Sequence, residues 1–123
     1  MNANDDATSQ AVLEGTWQLE SLEGHTLPDP ARRRPMLTVT AEGAVHGSTG
    51  VNRFSGVLDP DGRGLFGPLA TTRRAGPPEA MALEAAFLKA LDSATAVEAR
   101  DDQIVLGGAA TPRLILNRTD PAA

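Results

Sequence analysis

The sequence contains neither cysteine nor tyrosine, and aromatic residues make up only 3% of its 123 residues. Without cysteine the chain has no disulfide, thiol nucleophile, redox pair or thiolate metal site. With so few aromatic residues, the core must be built mainly from Leu, Val, Ile and Ala. The absence of disulfides is compatible with a reducing compartment. We therefore expect a cytoplasmic protein, or a periplasmic or secreted one if a leader has been removed.

The chain also has no excess of positive charge: its formal net charge is -5. A general nucleic-acid binder needs a cationic surface to displace counterions from phosphates, and tyrosine often stacks on bases. Anionic membrane surfaces are disfavoured for the same Coulombic reason. No run approaches the ~20 apolar residues of a membrane span, and Met1–Gln10 has no apolar core typical of a signal peptide. We expect no nucleic-acid partner and no integral membrane segment.

One domain is predicted over residues 11–119, with a flexible N-terminal tail at 1–10 and a C-terminal tail at 120–123. Apolar and polar residues alternate with period two in several segments, which is typical of half-buried strands. Further segments, including the short apolar runs 104–106 and 114–116, are also predicted as strands. The predicted strands cover residues 16–21, 36–41, 44–46, 51–58, 95–100, 104–106 and 114–116, with a short strand or extended segment at 64–69.

The period changes after Pro77 and Pro78, where an alanine-rich segment predicts a helix that ends near Ser93. Its predicted apolar stripe consists of Met81, Ala85, Leu88 and Leu91. Glu84 and Phe87 widen this stripe. Strands joined by short loops pair antiparallel. The predicted fold class is therefore α+β, mainly β: a curled antiparallel sheet or small barrel of about 7–8 strands with one helix packed on it.

The residues that could carry catalysis form no convincing set. His25 and His46 have no paired spacing, and a catalytic histidine needs a positioned partner within hydrogen-bond reach. The segment Gly47–Gly50 lacks the form of a nucleophile elbow and of a phosphate loop. Glu84 borders the apolar stripe of the predicted helix, where a carboxylate needs a partner. The favoured interpretation is a structural hydrogen bond to a loop N–H or an arginine, and the alternative is a catalytic role.

Two arginine clusters, Arg32–Arg34 and Arg73–Arg74, could bind phosphate or carboxylate. The chain has a strong arginine bias, with Lys89 as its one lysine. That bias is typical of genome composition, so the clusters by themselves do not define an anion site.

Four segments carry a resemblance to the META domain family, which includes the bacterial heat-shock protein HslJ. The family patterns are L-x-G-T-W-x-L, G-x-x-G-C-N-x-F-x-G, T-x-M-A-C and E-x-x-F-L-x-A-L. The matching segments occur in the same order at residues 13–19, 47–56, 72–76 and 84–91. The resemblance covers about residues 12–118. It implies a compact antiparallel β structure with one helix.

The resemblance implies structural roles, and no catalytic residue, metal ligand or cofactor, for the signature positions. These positions are Gly15, Thr16, Trp17, Gly50, Asn52, Phe54, Gly56, Thr72 and Glu84. Relatives often carry a cysteine pair, thought to form a disulfide. Val51 and Gly76 occupy the matching, former disulfide positions here.

We expect a monomeric, non-enzymatic module of a bacterial stress response or envelope process that acts through an unidentified protein partner. The alternative is binding of a small apolar ligand inside the curled sheet. An enzyme that uses the two histidines and nearby acids is a third, less favoured hypothesis.

Overall fold

The computed structural model describes residues 12–25, 27, 34–59, 65–108 and 111–119. In these ranges, eight strands form one antiparallel sheet and one long helix packs on it. The elements are β1 (Gly15–Leu22), β2 (Met36–Val39), β3 (Ala44–Ser48), β4 (Arg53–Val57), β5 (Ala70–Thr71), α1 (Pro78–Ser93), β6 (Ala96–Arg100), β7 (Gln103–Gly108) and β8 (Thr111–Arg118). The predicted mainly β, α+β class is confirmed. The predicted tails, 1–10 and 120–123, lie outside the described residues.

The strand order is β5-β4-β3-β2-β1-β8-β7-β6, which places the first and last strands side by side at the centre. β5 and β6 are the two edges, so among the described strands the sheet curls without closing. Of the two predicted forms, the curled sheet is confirmed and the small barrel is wrong. Helix α1 connects one edge strand to the other along the chain. It packs against β7 and β8, so a helix covers the sheet.

Alternation decides which face of β1 is buried. Trp17 and Leu19 are buried, while Gln18 and Glu20 point to the other face. A bulge between Leu19 and Ser21, where the pairing with β8 shifts, returns Leu22 to the core. The strand predicted at 16–21 is therefore confirmed and is slightly longer.

Two predicted strands differ from the structure. The strand predicted from Val51 begins at Arg53, because the preceding residues form a turn. At 64–69, where a short strand or an extended segment is predicted, the described part contains no regular strand. Phe66 forms only an isolated bridge with Leu58, and a regular strand begins at Ala70.

Helix α1 begins after Pro77, with Pro78 in its first turn, where the missing proline N–H costs no hydrogen bond. Its buried residues are Leu83, Phe87, Ala90 and Leu91. The predicted stripe of Met81, Ala85, Leu88 and Leu91 is wrong in part, since Ala85 is exposed and Met81 and Leu88 are half-buried. In an alanine-rich helix the small side chains fit either face, and the largest side chain, Phe87, fixes the rotation.

The core is mainly aliphatic, as the composition predicts, with aromatic rings at its centre. Trp17 is 1% exposed, and its indole Nε1 donates to the Leu13 carbonyl over 2.7 Å. The rings of Phe54 and Phe87 join the sheet to α1, with centroids 5.9 Å apart. No helix in the described ranges is both long and apolar enough to cross a bilayer.

Gly47 is required by the ring of Phe54. On the inner face of the sheet, Gly47 lies between Leu37 and Phe54 in register. A Cβ there would lie 2.7 Å from Phe54 Cζ and would also clash with the Met36 carbonyl oxygen. We predict that Gly47→Ala lowers the free energy of unfolding by about 2–3 kcal/mol through overpacking, measured by urea denaturation.

Gly107→Ala is the matched control. Gly107 also lies in a strand, but nothing lies within 4 Å of a Cβ built on it. That variant should be neutral or slightly stabilising, because alanine is favoured over glycine in a strand interior. Equal losses in both variants would contradict the packing explanation.

Candidate functional site

The motifs of the sequence converge where the turn between β3 and β4 meets α1. This turn contains Thr49 and Asn52, which are 2% and 3% exposed and are the buried polar side chains of the described chain. The segment after β5 contributes Thr72 and the backbone of Arg74, and α1 contributes Glu84. We call these five residues the Asn52 latch.

The side-chain amide of Asn52 uses all four of its hydrogen-bonding positions. Its Nδ2 donates to Glu84 Oε1 over 2.8 Å and to the Arg74 carbonyl over 3.0 Å. Its Oδ1 accepts from Thr72 Oγ1 over 2.9 Å and from the Arg74 N–H over 2.5 Å. A primary amide has two donors and two acceptor positions, so Asn52 is fully satisfied.

Thr49 completes the latch and shapes the turn. Its hydroxyl donates to Glu84 Oε1 over 2.6 Å and accepts from the N–H groups of Asn52 and Val51, at 2.9 and 3.2 Å. Glu84 Oε1 therefore accepts two hydrogen bonds from the turn. The structural hydrogen bond predicted for Glu84 is present, but its donors are a hydroxyl and a side-chain amide instead of a loop N–H or an arginine.

The first signature segment packs around Trp17 at the start of β1. The guanidinium carbon of Arg118 lies 4.4 Å from the centroid of the Trp17 ring, a cation–π contact. Gly15 makes room for it, since a Cβ there would lie 2.7 Å from Arg118 Nη1. The Thr16 and Thr38 hydroxyls share a hydrogen bond of 3.2 Å across β1 and β2.

The remaining signature residues shape the β3–β4 hairpin. Gly50 has φ +98°, a conformation that glycine adopts readily, and it allows the tight turn before Asn52. Phe54 is buried in the core, and a Cβ on Gly56 would lie 2.6 Å from the Pro68 carbonyl oxygen. These contacts give each residue a structural role.

Val51 and Gly76 lie side by side. A Cβ built on Gly76 would be 3.7 Å from the Cβ of Val51, and 3.1 Å from its Cγ2. Disulfides typically join Cβ atoms ~3.5–4.5 Å apart. The two former disulfide positions therefore have a spacing that suits the cysteine pair of relatives, and the Val51 methyl groups occupy that space here.

On the outer face of the sheet, a row of directly paired residues crosses four strands. Gln18 pairs with Met36, Met36 with Ser48, and Ser48 with Arg53. These residues alternate with the buried row that contains Trp17 and the rings of the core, so their side chains point away from the core.

The row forms the floor of a cleft of about 730 Å³. Its walls include Arg34, the turn residues 50–52, Thr72 and Arg74, and we call it the arginine cleft. It joins one arginine from each sequence cluster, Arg34 and Arg74, to Arg53. Arg73 does not line it, and Arg32 and Arg33 lie outside the described residues. Arg53 and Thr49 were not among the predicted site residues, although the placement of Arg53 follows once the strand register is known.

The fold separates the two histidines. His46 lies on β3 in the row of Thr38 and Thr16, whereas His25 bridges back to Leu22 at the other end of β1. Along β1, these two positions, Thr16 and Leu22, are six residues apart, which corresponds to about 20 Å of strand. Within the described residues, no group of three or more histidine or carboxylate side chains could hold a metal ion.

Asn52→Asp tests the latch, because it removes both amide donors and buries a carboxylate against Glu84. We predict a loss of about 3–5 kcal/mol in the free energy of unfolding, as for a broken buried charged network, measured by urea denaturation.

Asn117→Asp is its matched control. Asn117 Nδ2 also donates to a glutamate oxygen, Glu20 Oε1, over 2.8 Å, but at an exposed position. Water screens that contact, so its loss should stay below about 1 kcal/mol. Similar losses in the two variants would show that burial of the latch has no special importance.

The double variant Val51→Cys/Gly76→Cys tests the former disulfide positions. We predict that a disulfide forms on air oxidation and stabilises the chain by ~2–4 kcal/mol over its reduced form. Thiol titration and denaturation with and without reductant measure this. The control pair Val51→Cys/Gly107→Cys should retain two free thiols, and free thiols in the oxidised test variant would contradict the prediction.

The comparisons with known proteins agree with this architecture. An NMR structure of a protein from Burkholderia xenovorans superposes with a TM-score of 0.70 at 25% identity, covering 93% of this chain and 88% of that one. A crystal structure of a DUF4847 family protein from Bacteroides vulgatus has a TM-score of 0.57 at 15% identity, covering 92% of this chain and 99% of that one, and shows the fold alone. No curated protein matches the chain significantly.

The family comparison covers nearly the whole chain. The META domain model matches residues 10–121, which include every signature segment described above. The chain belongs to the META domain family.

Proposed function

We propose that this META domain is a non-enzymatic binding module of a bacterial stress response or envelope process, and that it acts through contact between its outer face and a partner protein. The observation that carries the proposal is the arginine cleft. It lies on the face of the sheet that the protein's own core does not use. The stress-response assignment rests on the resemblance to the heat-shock member of the family.

The internal hydrogen bonds of the polar groups in the Asn52 latch support a non-enzymatic role. Every hydrogen-bonding position of the Asn52 amide is occupied, and the Thr49 hydroxyl and Glu84 Oε1 bind each other. General acid–base chemistry needs a group within hydrogen-bond reach of the substrate. The nearest candidates hold the turn against α1 instead, and the two histidines lie apart, His46 on β3 and His25 just after β1.

The outer face also supports a protein partner. Arg53 and Arg74 are exposed on a chain of net charge -5, and neither has an ion pair with any residue that the structure describes. Arginine is enriched at protein interfaces, where its planar fork pairs with carboxylates.

The alternative, an apolar ligand inside the curled sheet, gains less support. The inner face is filled by the core in the described part of the chain. Trp17, Leu37 and Phe87 are each at most 1% exposed and belong to one continuous cluster. An apolar ligand would have to displace these side chains.

Site-specific photo-crosslinking in the native host tests the proposal. A photoreactive phenylalanine analogue replaces His46 or Ser55, two exposed residues that are paired on the outer face. Glu79 and Asp92, exposed on α1, provide control positions. We expect one discrete protein adduct from both outer-face positions and none from the helix, more abundant after heat or antibiotic stress.

The full-length chain is used, with circular dichroism to show that each variant is folded. No adduct from either outer-face position, with or without stress, would overturn the proposal. The same adduct from all four positions would also overturn it, because a specific partner would not contact unrelated faces equally.

A further inference from the structure

We infer that the arginine cleft binds an acidic peptide segment with an apolar side chain. This inference rests on the proposed function and names the chemistry of the partner. The strand register supplies its first argument. It places Met36, Ser48 and Arg53 in one row, while Arg34 and Arg74 rise from segments far apart in the sequence.

The charges that line the cleft are unbalanced. No carboxylate belongs to its described lining. Arg34 is already engaged: its side chain is 11% exposed, its Nη1 lies 3.8 Å from Glu20 Oε1, and it donates to the Leu19 carbonyl over 3.5 Å. Arg53 and Arg74 are exposed and have no ion pair with a described residue. Like charges around one cleft repel each other, and an anion between Arg53 and Arg74 relieves that repulsion.

The backbone of the cleft argues for carboxylates over phosphate. Phosphate sites commonly use free backbone N–H groups in a turn or at a helix N-terminus. Here the N–H groups of Gly50 and Val51 bond to the hydroxyls of Ser48 and Thr49, and that of Arg53 bonds to Thr72 Oγ1. The donors left for a ligand are side chains, and guanidinium forks pair well with carboxylates.

The size and apolar lining argue for a peptide. About 730 Å³ lies in the range of complete ligand sites and exceeds what a single small anion fills. Half-buried Met36 and Val51 lie among the arginines, and methionine adapts to varied apolar partners. A segment with acidic residues on both sides of an apolar residue would satisfy both kinds of lining.

The test is a titration of the ¹⁵N-labelled full chain with acetyl-Asp-Glu-Leu-Asp-Glu-amide, followed by NMR at physiological ionic strength. We expect saturable shifts of the backbone amides at Gly50, Val51 and Arg53. The amide analogue acetyl-Asn-Gln-Leu-Asn-Gln-amide should bind at least about tenfold more weakly, because it lacks the carboxylates.

Charge-reversal variants locate the site. Arg53→Glu/Arg74→Glu should weaken binding by at least about tenfold, and Arg53→Gln/Arg74→Gln by less. The matched control is Arg73→Glu, which changes the charge beside Arg74 but lies outside the cleft. Screening should limit its effect to about twofold. Thermal unfolding shows whether each variant is folded.

Three results would overturn the inference: equal binding of the amide analogue, equal weakening by Arg73→Glu, or inorganic phosphate producing the same saturable shifts at matched ionic strength. Failure here is distinguishable from failure of the proposed function. If the peptide does not bind but the outer-face crosslink persists in Arg53→Glu/Arg74→Glu, the partner contacts the face by other means. Loss of that crosslink together with peptide binding supports both.

Discussion

The side-chain amide of Asn52 joins three parts of the chain: the β3–β4 turn, the segment after β5 and helix α1. Its four hydrogen bonds replace the ladder bonds that the irregular turn does not make. A buried amide with one unmet position would cost about 1–3 kcal/mol. Full satisfaction therefore restricts this region to one arrangement, and the rotation of α1 follows from it because Glu84 must reach Asn52.

Glu84 and Phe87 fix the helix from two sides. Phe87 enters the core against Phe54, while Glu84, three residues earlier, bonds to the turn. Residues three apart lie on neighbouring parts of one helix face, so the two contacts together orient the helix. The absent disulfide is consistent with this arrangement. Val51 packs against Gly76 beside a network that already holds the same segments together.

The strands with large apolar residues could be predicted from the sequence. In β1, the large side chains of Trp17 and Leu19 alternate with polar residues, so the period is clear. In β7, residues 104–106 form a short apolar run that is buried throughout. The break between the strands predicted at 44–46 and 51–58 indicates a turn, but the end of that turn was misplaced. It extends to Asn52 because the Thr49 hydroxyl accepts backbone N–H groups, which leaves no periodic signal. The helix face was misplaced at Ala85 because alanines give little contrast between faces. Whether the predicted curled sheet closes into a barrel stayed open, because strand count alone does not say whether the edges meet.

Only part of the candidate site could be predicted from the sequence, because the rest depends on strand register. The motif residues Asn52, Thr72 and Glu84 could be singled out by resemblance, and the structure brings all three into direct contact. The arginine cleft depends on register, because pairing of Met36 with Ser48, and of Ser48 with Arg53, brings distant cations to one place. The latch and the cleft share Asn52, Thr72 and Arg74. The latch uses their amide, hydroxyl and backbone groups internally, so the cleft offers a ligand mainly the exposed side chains of Arg74 and Arg53. A site built in this way has charge to offer a ligand, while the polar groups that it shares with the latch are committed to internal hydrogen bonds.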